Sequence, residues 1–574
     1  MLGISLSVSG APSTTLGPAF DLCVDAENGD DGNDGSMAAP FATLAKLASV
    51  STADDRVGLK RGSRFRETFS AVSARGIGAY GDPADPPPFI DGSDVVAATI
   101  TAHATHADVY EVTITHSEAP YFAGSYVESN GPHFALWWEP TGGTQLGEYL
   151  EPYYGAADIA AGEAFVAANP GRMFVHKDGS TNPDARTEAS GQTFRYVFQL
   201  ADSGDPRTGG ALHNAARAEL FEHPGGTVSD LVFGRNIRKD CTYAVTQNFV
   251  AGDPVPVYRR CAWIDVGCHA SLGVCHGHDL LFLSRTPGAA TQGAAFHCYH
   301  DTYAAATPQL KRARIVGFSK AVYSHGSVGG NILDGMVVER VRAEGCRAFA
   351  YGPPSSGSLV VRDGVLIDGV NFVQGSMTAD VDGFLFVTIT GASPFGRALL
   401  SETVKNGIDP VFRNGFAVFR NDTQSGDKRC LEFESATPAN NGRLTLQNVT
   451  VAGLSRALVY HNLAPITLEE SAIGAMSTTD RTPNTGFVGI ASQFGIPGSA
   501  YDTLAEIQAV ASGVDGDCLL EQAEPLAFDG DPTATPYAPT ISTPAIVAAD
   551  MGVDPAVITA LLAMDVPSEA DFGR

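Results

Sequence analysis

The sequence predicts a mainly β chain: a parallel β-helix, or solenoid of stacked coils, with an N-terminal capping helix, a β-rich insertion and a partly helical C-terminal region. Three observations carry this. A chain of 574 residues exceeds one ordinary core and suits several units or one elongated solenoid. Its 63 glycines favour many tight turns. Above all, one short pattern recurs: an acidic or amide residue, commonly Gly next, then apolar residues in alternation and another apolar residue after a gap. It reads DGMVVERV from Asp334, DGVLIDGV from Asp363, DGFLFVTI from Asp382, NGFAVFRN from Asn414, QNVTVAGL from Gln447 and, weakly, EESAIGAM from Glu469. Its period varies between roughly 20 and 35 residues, within the solenoid range. Met336 and Val338 would share the inner face of a strand, the two-residue gap would turn a corner, and Val341 would point inward again. SDLVFGRNI near Asp230 and GHDLLFLSR near Asp279 fit the same stack. An ordinary β-sandwich with similar strands is the competing reading.

From the N-terminus, residues 1–20 read as a polar attachment or linker segment and 21–95 as the cap and first coils. The first strand, DLCVD, leads into NGDDGNDGS, a loop crowded with acidic and amide residues. An EF-hand would need oxygen ligands and Glu where Gly32 and Phe41 stand, so calcium is set aside. Phe41, Leu44, Leu47 and Ala48 recur at helical spacing over 39–50, with Asp34 or Ser36 as the cap, and this helix would close the raw solenoid end. DRVGLKRGSRFRETF and GIGAYGDPADPPPFIDGSD read as the next strands and a turn. Residues 96–225 form an insertion rich in aromatics and Gly, 226–480 the main β-helix, and 481–574 a C-terminal cap or linker with short helices. There, AYDTLAEIQAVAS and DPAVITALLAMD look helical, with Asp554 as cap and Pro555 in the first turn, and PTATPYAPTISTPA between them reads as a linker. This tail is expected to close the solenoid end or to pack on a neighbouring subunit.

The order of strand, Asp/Asn/Gly loop, PFATL helix, RGSRFRE, AYGDP and IDGS resembles the N-terminus of the right-handed parallel β-helix proteins of the pectate-lyase-like superfamily. The resemblance is close over 21–94 and loose over the coils of 226–480, and GRMFVHKDGSTNPDAR is similar to a β-rich module inserted in some of these proteins. The superfamily holds polysaccharide lyases, glycoside hydrolases and phage tailspikes. The leader MLGISLSVSGAP resembles the start of virion proteins from phages of alphaproteobacteria. The resemblance implies a virion spike or tail fibre, a homotrimer, contacts to other virion proteins through the N-terminus, and host cell-surface polysaccharide as partner.

Bulk chemistry narrows the classes further. A net charge of −27 argues against nucleic acid and against simple charge steering to anionic membranes. No run of eighteen apolar residues predicts a membrane span. Nine irregularly spaced Cys read as buried free thiols. The N-terminus lacks a basic region before its apolar stretch, which suggests an exit route other than a secretory signal, such as a virus particle released by lysis; a secreted protein is the alternative.

The densest candidate site is AFHCYHDTY, from Ala295. On a strand, Phe296, Cys298 and His300 would share one face and His297, Tyr299, Asp301 and Tyr303 the other. Aromatic faces stack on sugars, and His or Asp moves protons. Asp301, His300, His297 and Glu339 are the catalytic candidates; Asp334, Glu344 and Asp368 lie on nearby coils, although Asp334 also suits a turn. Tyr299, Tyr303, Trp137, Trp138, Arg312 and Arg314 are the glycan-binding candidates, the last two from the basic cluster KRAR. The tryptophans of WWEPTGG serve equally as the insertion's core. Cys261, Cys268 and Cys275 recur every seven residues, which suits inward positions along a coil better than zinc; no metal or cofactor is expected. Three functions stand open: a virion spike or fibre that recognises surface polysaccharide, with or without depolymerising it, a stand-alone polysaccharide lyase or hydrolase, and a non-catalytic adhesive β-helix.

Overall fold

The computed structural model describes residues 20–572 except 71–73, 117–134, 143–146, 154–155, 178–190, 192, 202–203, 218, 223–224, 237–242, 247–254, 287–292, 300–306, 326–334, 353–357, 376–377, 389–396, 402–408, 420–427, 433–443, 453–465, 470, 475–487, 491–492, 496–502, 511–512, 515–516, 522–526, 530–539 and 543–552. Strands dominate. They stack in parallel from Leu22–Val24 through Arg56–Lys60, Gly76–Tyr80, Thr227–Ser229, His276–Leu283 and Met336–Glu344 to Leu444–Ala452 and beyond. This is the expected parallel β-helix architecture, seen as a 22-stranded and a nine-stranded sheet.

Each middle coil carries three strand segments. The first two form one long bent strand of the larger sheet. Strand Met336–Glu344 pairs with Ser358–Ile367 over Glu339↔Arg362, skips one residue, and resumes at Val341↔Gly364. The skipped residue is a corner in the left-handed backbone region. Asp230, Arg260, Asp279, Arg312, Arg340, Asp363, Gly383, Asn414 and Asn448 occupy it on successive coils, with φ between 48° and 75°. Asp, Asn and Gly tolerate that region best, which is why the repeat is written with them. The quoted repeat nevertheless mixes phases. Asp363 and Asn414 are corners, Asp382 and Gln447 stand one residue before the corner, and Gly335 immediately precedes its strand. The third segment forms the nine-stranded sheet, with Ala294–Tyr299, Lys320–His325, Ala348–Gly352 and Asn371–Gly375 stacked in order.

The interior is filled by side chains aligned from coil to coil. Phe69, Phe221, Phe233, Trp263 and Phe282 stack with ring centroids 5.2, 5.4, 5.4 and 4.7 Å apart. Further along, Phe349 and Phe372 stack at 4.7 Å. Cys261, Cys268, Cys275 and Cys298 are buried free thiols, and burial pushes the Cys261 thiol up to about 12.

The capping helix is Leu44–Val50, shorter than the expected 39–50, and its cap is Thr43 rather than Asp34 or Ser36. Asp31 explains the acidic loop: its carboxylate accepts from Ala42 N, Thr43 N and Thr43 Oγ1 at 3.0, 3.0 and 2.8 Å, fixing the residues that start the helix. Asp25, Asp30 and Asp34 accept from backbone amides two or three residues on, as turn formers.

Between Ser93 and Ala215 lies a separate eight-stranded sheet, antiparallel except where Glu148–Tyr153 pairs with Arg172–Lys177. It meets the solenoid through buried charge. Arg64 bonds Asp91 and donates to Glu139 at 2.8 and 2.6 Å; Arg235 lies 3.0 Å and His213 2.8 Å from the same carboxylate. Trp137 Nε1 donates to Asp265 at 2.8 Å, and Arg285 clamps that carboxylate from the other side.

The tail corrects an expectation. The segment Val553–Phe572 neither closes an end nor leaves the body; it runs along the solenoid's flank. Val553 N donates to Thr450 Oγ1 at 3.1 Å. The helix Pro555–Leu562, capped by Asp554 as expected, packs Ile558 and Leu561 on Val365, Ile367, Leu385, Val387, Phe416 and Val418. Farther back, Asp565 bonds Arg312, and Phe572 packs with Phe89, Val232, Ala262, Ile264 and Leu281 on the earliest coils. The second strand segment is apolar on its outer face at both ends, and this strap is what covers it. No helix among the described residues is long and apolar enough to cross a membrane.

Candidate functional site

On the nine-stranded sheet, alternation sorts the side chains. Phe296 and Cys298 of Ala294–Tyr299 enter the core, as do Val322 of Lys320–His325 and Ala350 of Ala348–Gly352. His297, Tyr323 and Tyr351 occupy the intervening positions on the opposite face. Parallel register places them in one column: His297 pairs with Tyr323, Tyr323 with Tyr351, and Tyr351 with Gln374.

The column is a ring ladder. His297 and Tyr323 lie face to face, centroids 4.2 Å apart and planes 8° from parallel. His269 of the preceding coil stands 5.0 Å from His297. Tyr351 meets Tyr323 edge-on at 4.9 Å. The Lys320 ammonium sits 5.0 Å from both tyrosine centroids, a distance at which the ring faces attract the cation. His269 and His297 are buried, whereas Tyr323, Tyr351 and Lys320 remain partly open to solvent. His269 Nδ1 accepts the Ala294 N–H at 2.9 Å, so a neutral His269 carries its proton on Nε2.

The faces of His297 and Tyr323 lie against each other, so what the strip turns outward is the partly open sides of Tyr323 and Tyr351 and the Lys320 ammonium. A sugar can use both: its C–H groups pack on aromatic rings and its hydroxyls or acidic groups meet polar atoms.

Of the sequence candidates, His297 lies in this ladder. Tyr299 ends the same strand, and its backbone pairs with His325. His300, Asp301 and Tyr303 lie outside the described residues, as does Asp334. Glu339 is placed elsewhere: it stands on the outer face of the larger sheet between Lys311 and Arg362, 3.4 Å from the Lys311 ammonium. The fold therefore does not bring Glu339 to His297. Glu344 is held below the usual carboxylate range; burial opposes this, but Arg314 and Arg342 outweigh it. Asp368 is a corner residue with φ 56°.

Four binding candidates are corrected. Trp137 and Trp138 are fully buried, Trp137 at the joint with the solenoid and Trp138 in the core of the inserted sheet, so neither is a sugar-stacking surface. Arg312 is engaged by Asp279 and Asp565, and Arg314 by Glu344 at 3.0 Å. Strand alternation put these arginines outside the core, but carboxylates of neighbouring coils and of the C-terminal strap take up their charge.

The residues missed were Lys320, Tyr323 and Tyr351, and His269 was not read as part of this site. The first three fall in the short strands KAVYSH and AFAYG, which show only two or three apolar letters, and His269 opens the short strand HASL. Aligning polar-face residues strand by strand would have found them.

No protein-family model and no curated protein sequence matches the chain. Among solved structures, the chain is similar to a XylC protein in complex with xylose (10% identity, TM-score 0.46, 88% of this chain and 87% of that one). It is similar also to a GH136 lacto-N-biosidase from Eubacterium ramulus (11% identity, TM-score 0.20, 88% and 67%). A third is the catalytic unit of a GH87 α-1,3-glucanase from Streptomyces thermodiastaticus (9% identity, TM-score 0.23, 76% and 96%). With every TM-score below 0.5, the architecture rests on strand register and the function on the site.

Proposed function

We propose that this chain is a polysaccharide-binding β-helix that holds sugar rings against the partly open Tyr323 and Tyr351, with the buried His269 and His297 completing the ladder behind them and Lys320 at its edge. The observation that carries the reading is the face-to-face stack of His297 and Tyr323, continued by Tyr351, on the outer side of a rigid parallel sheet. A parallel sheet repeats about every 4.8 Å, so one surface presents several rings to one extended chain. The finer reading is a virion spike or tail fibre that recognises host surface polysaccharide, attached through its N-terminus and assembled as a homotrimer. It is supported by the resemblance of residues 21–94 and of the leader. Polymer cleavage would call on the sequence candidates His300 and Asp301.

The test is binding of the purified chain to surface polysaccharide, with polymer length and unsaturated-uronate absorbance followed in parallel. Tyr323→Ala and Tyr351→Ala should each weaken binding by about 1–2 kcal/mol, roughly 5- to 30-fold, without changing the melting temperature much. Full affinity in both variants would remove the ladder from the account. Shortening with new absorbance identifies a lyase, shortening without it a hydrolase, and unchanged length a receptor-binding protein. A monomer at micromolar concentration would overturn the spike reading.

A further inference from the structure

A hollow of about 560 Å³ opens on the outer face of the first coils, away from the ladder. Its floor is nearly bare of side chains. Gly76 and Gly78 stand there beside Thr227 and Ser229, which offer hydroxyls from the adjacent coil. Phe20 forms one wall, its ring lying over Gly58 and Gly78. Arg56, Arg75 and Arg260 rim it. Arg260 is bound to Asp230 by two hydrogen bonds of 2.6 and 2.8 Å. Arg56 and Arg75 differ: among the described residues, neither guanidinium has a hydrogen-bond or ion-pair partner. Many arginines elsewhere in this chain of net charge −27 are instead clamped by carboxylates.

We infer that this hollow binds a saccharide unit carrying a carboxylate. The two open guanidinium groups match a carboxylate in planar, two-pronged geometry. Thr227, Ser229 and the neutralised Asp230 supply partners for ring hydroxyls, and Phe20 offers a stacking face. The volume lies within the range of about 300–1,000 Å³ typical of small-ligand sites. The site shares no residue with the ladder, so it stands or falls separately from the reading above.

Calorimetric titration of the full chain with glucuronate, glucose and inorganic phosphate at low ionic strength tests it. Glucuronate should bind at least tenfold more tightly than either control. The double variant Arg56→Ala/Arg75→Ala should weaken glucuronate at least tenfold. Gly76→Val should abolish binding by filling the floor; a Cβ there meets nothing nearer than the Thr227 carbonyl oxygen at 3.6 Å, so the variant folds normally. In a Tyr323→Ala background the arginine pair should still weaken glucuronate by the same factor, because the two sites share no residue. Equal binding of phosphate or glucose, no binding of glucuronate, or retained affinity in the arginine and glycine variants would each overturn the inference. Loss in Tyr323→Ala alone would move the ligand to the ladder, overturning this site while leaving the proposed function in place.

Discussion

Glu139 sits where Arg64, Arg235 and His213 converge. Burial alone would raise its carboxyl, but the hydrogen bond from His213 and the charges of Arg235 and Arg64 hold it at about 2, against an ordinary 4.5. A folded-state value below the unfolded one stabilises the fold above the unfolded value, and the contribution fades as pH falls through the folded one. The window is therefore pH 4.5 down to about 2. The contribution at neutral pH is on the order of 3 kcal/mol. Glu139→Gln should lower stability by about that much near pH 7, and urea titrations across pH should show the gap to the parent closing toward pH 2. A gap that stays constant with pH would mean that the carboxylate's charge is not what joins the inserted sheet to the coils.

At the scale of the strand, the corner decides. Arg340 holds φ 54°, where a side chain costs about 1–2 kcal/mol that glycine avoids. Arg340→Gly should therefore be more stable than Arg340→Val by about 1–2 kcal/mol in denaturant midpoints, although both remove the same charge. The corner also shows how far the sequence could be read. The inward alternation of Met336, Val338 and Val341 was legible because core burial enforces period two. The phase of the Asp-Gly pair was not, since both a strand entry and a left-handed corner select the same residue types. Likewise Asp34 and Ser36 are cap-forming letters, yet Thr43 caps the helix because Asp31 reaches across the loop to it. Within one strand, His297 could be assigned to the face opposite Phe296. Its neighbours Tyr323 and Tyr351 come from other coils, and no spacing within a single strand announces them.

Across the whole molecule, the C-terminal strap ties late sequence to early coils. Ile558 and Leu561 cover Val365, Leu385 and Phe416, while Phe572 reaches Phe89. Ile558→Ala should cost about 2–4 kcal/mol, because it empties a buried aliphatic position. The loss should appear as faster amide exchange in Pro555–Leu562 and in the strands beneath, with the far coils unchanged. Uniformly faster exchange along the solenoid would show that strap and coils open as one unit.

The strap also bears on how the molecule is made. A growing chain stacks its coils in order as they leave the ribosome. The two apolar patches, around Phe89 and around Phe416, must then wait for residues translated after every coil they lie on. Until Val553–Phe572 is made, each growing copy displays both patches to its neighbours on the same messenger. Crowded translation is thus the moment of greatest danger for this protein, and truncation before Val553 would convert folded coils into sticky ones.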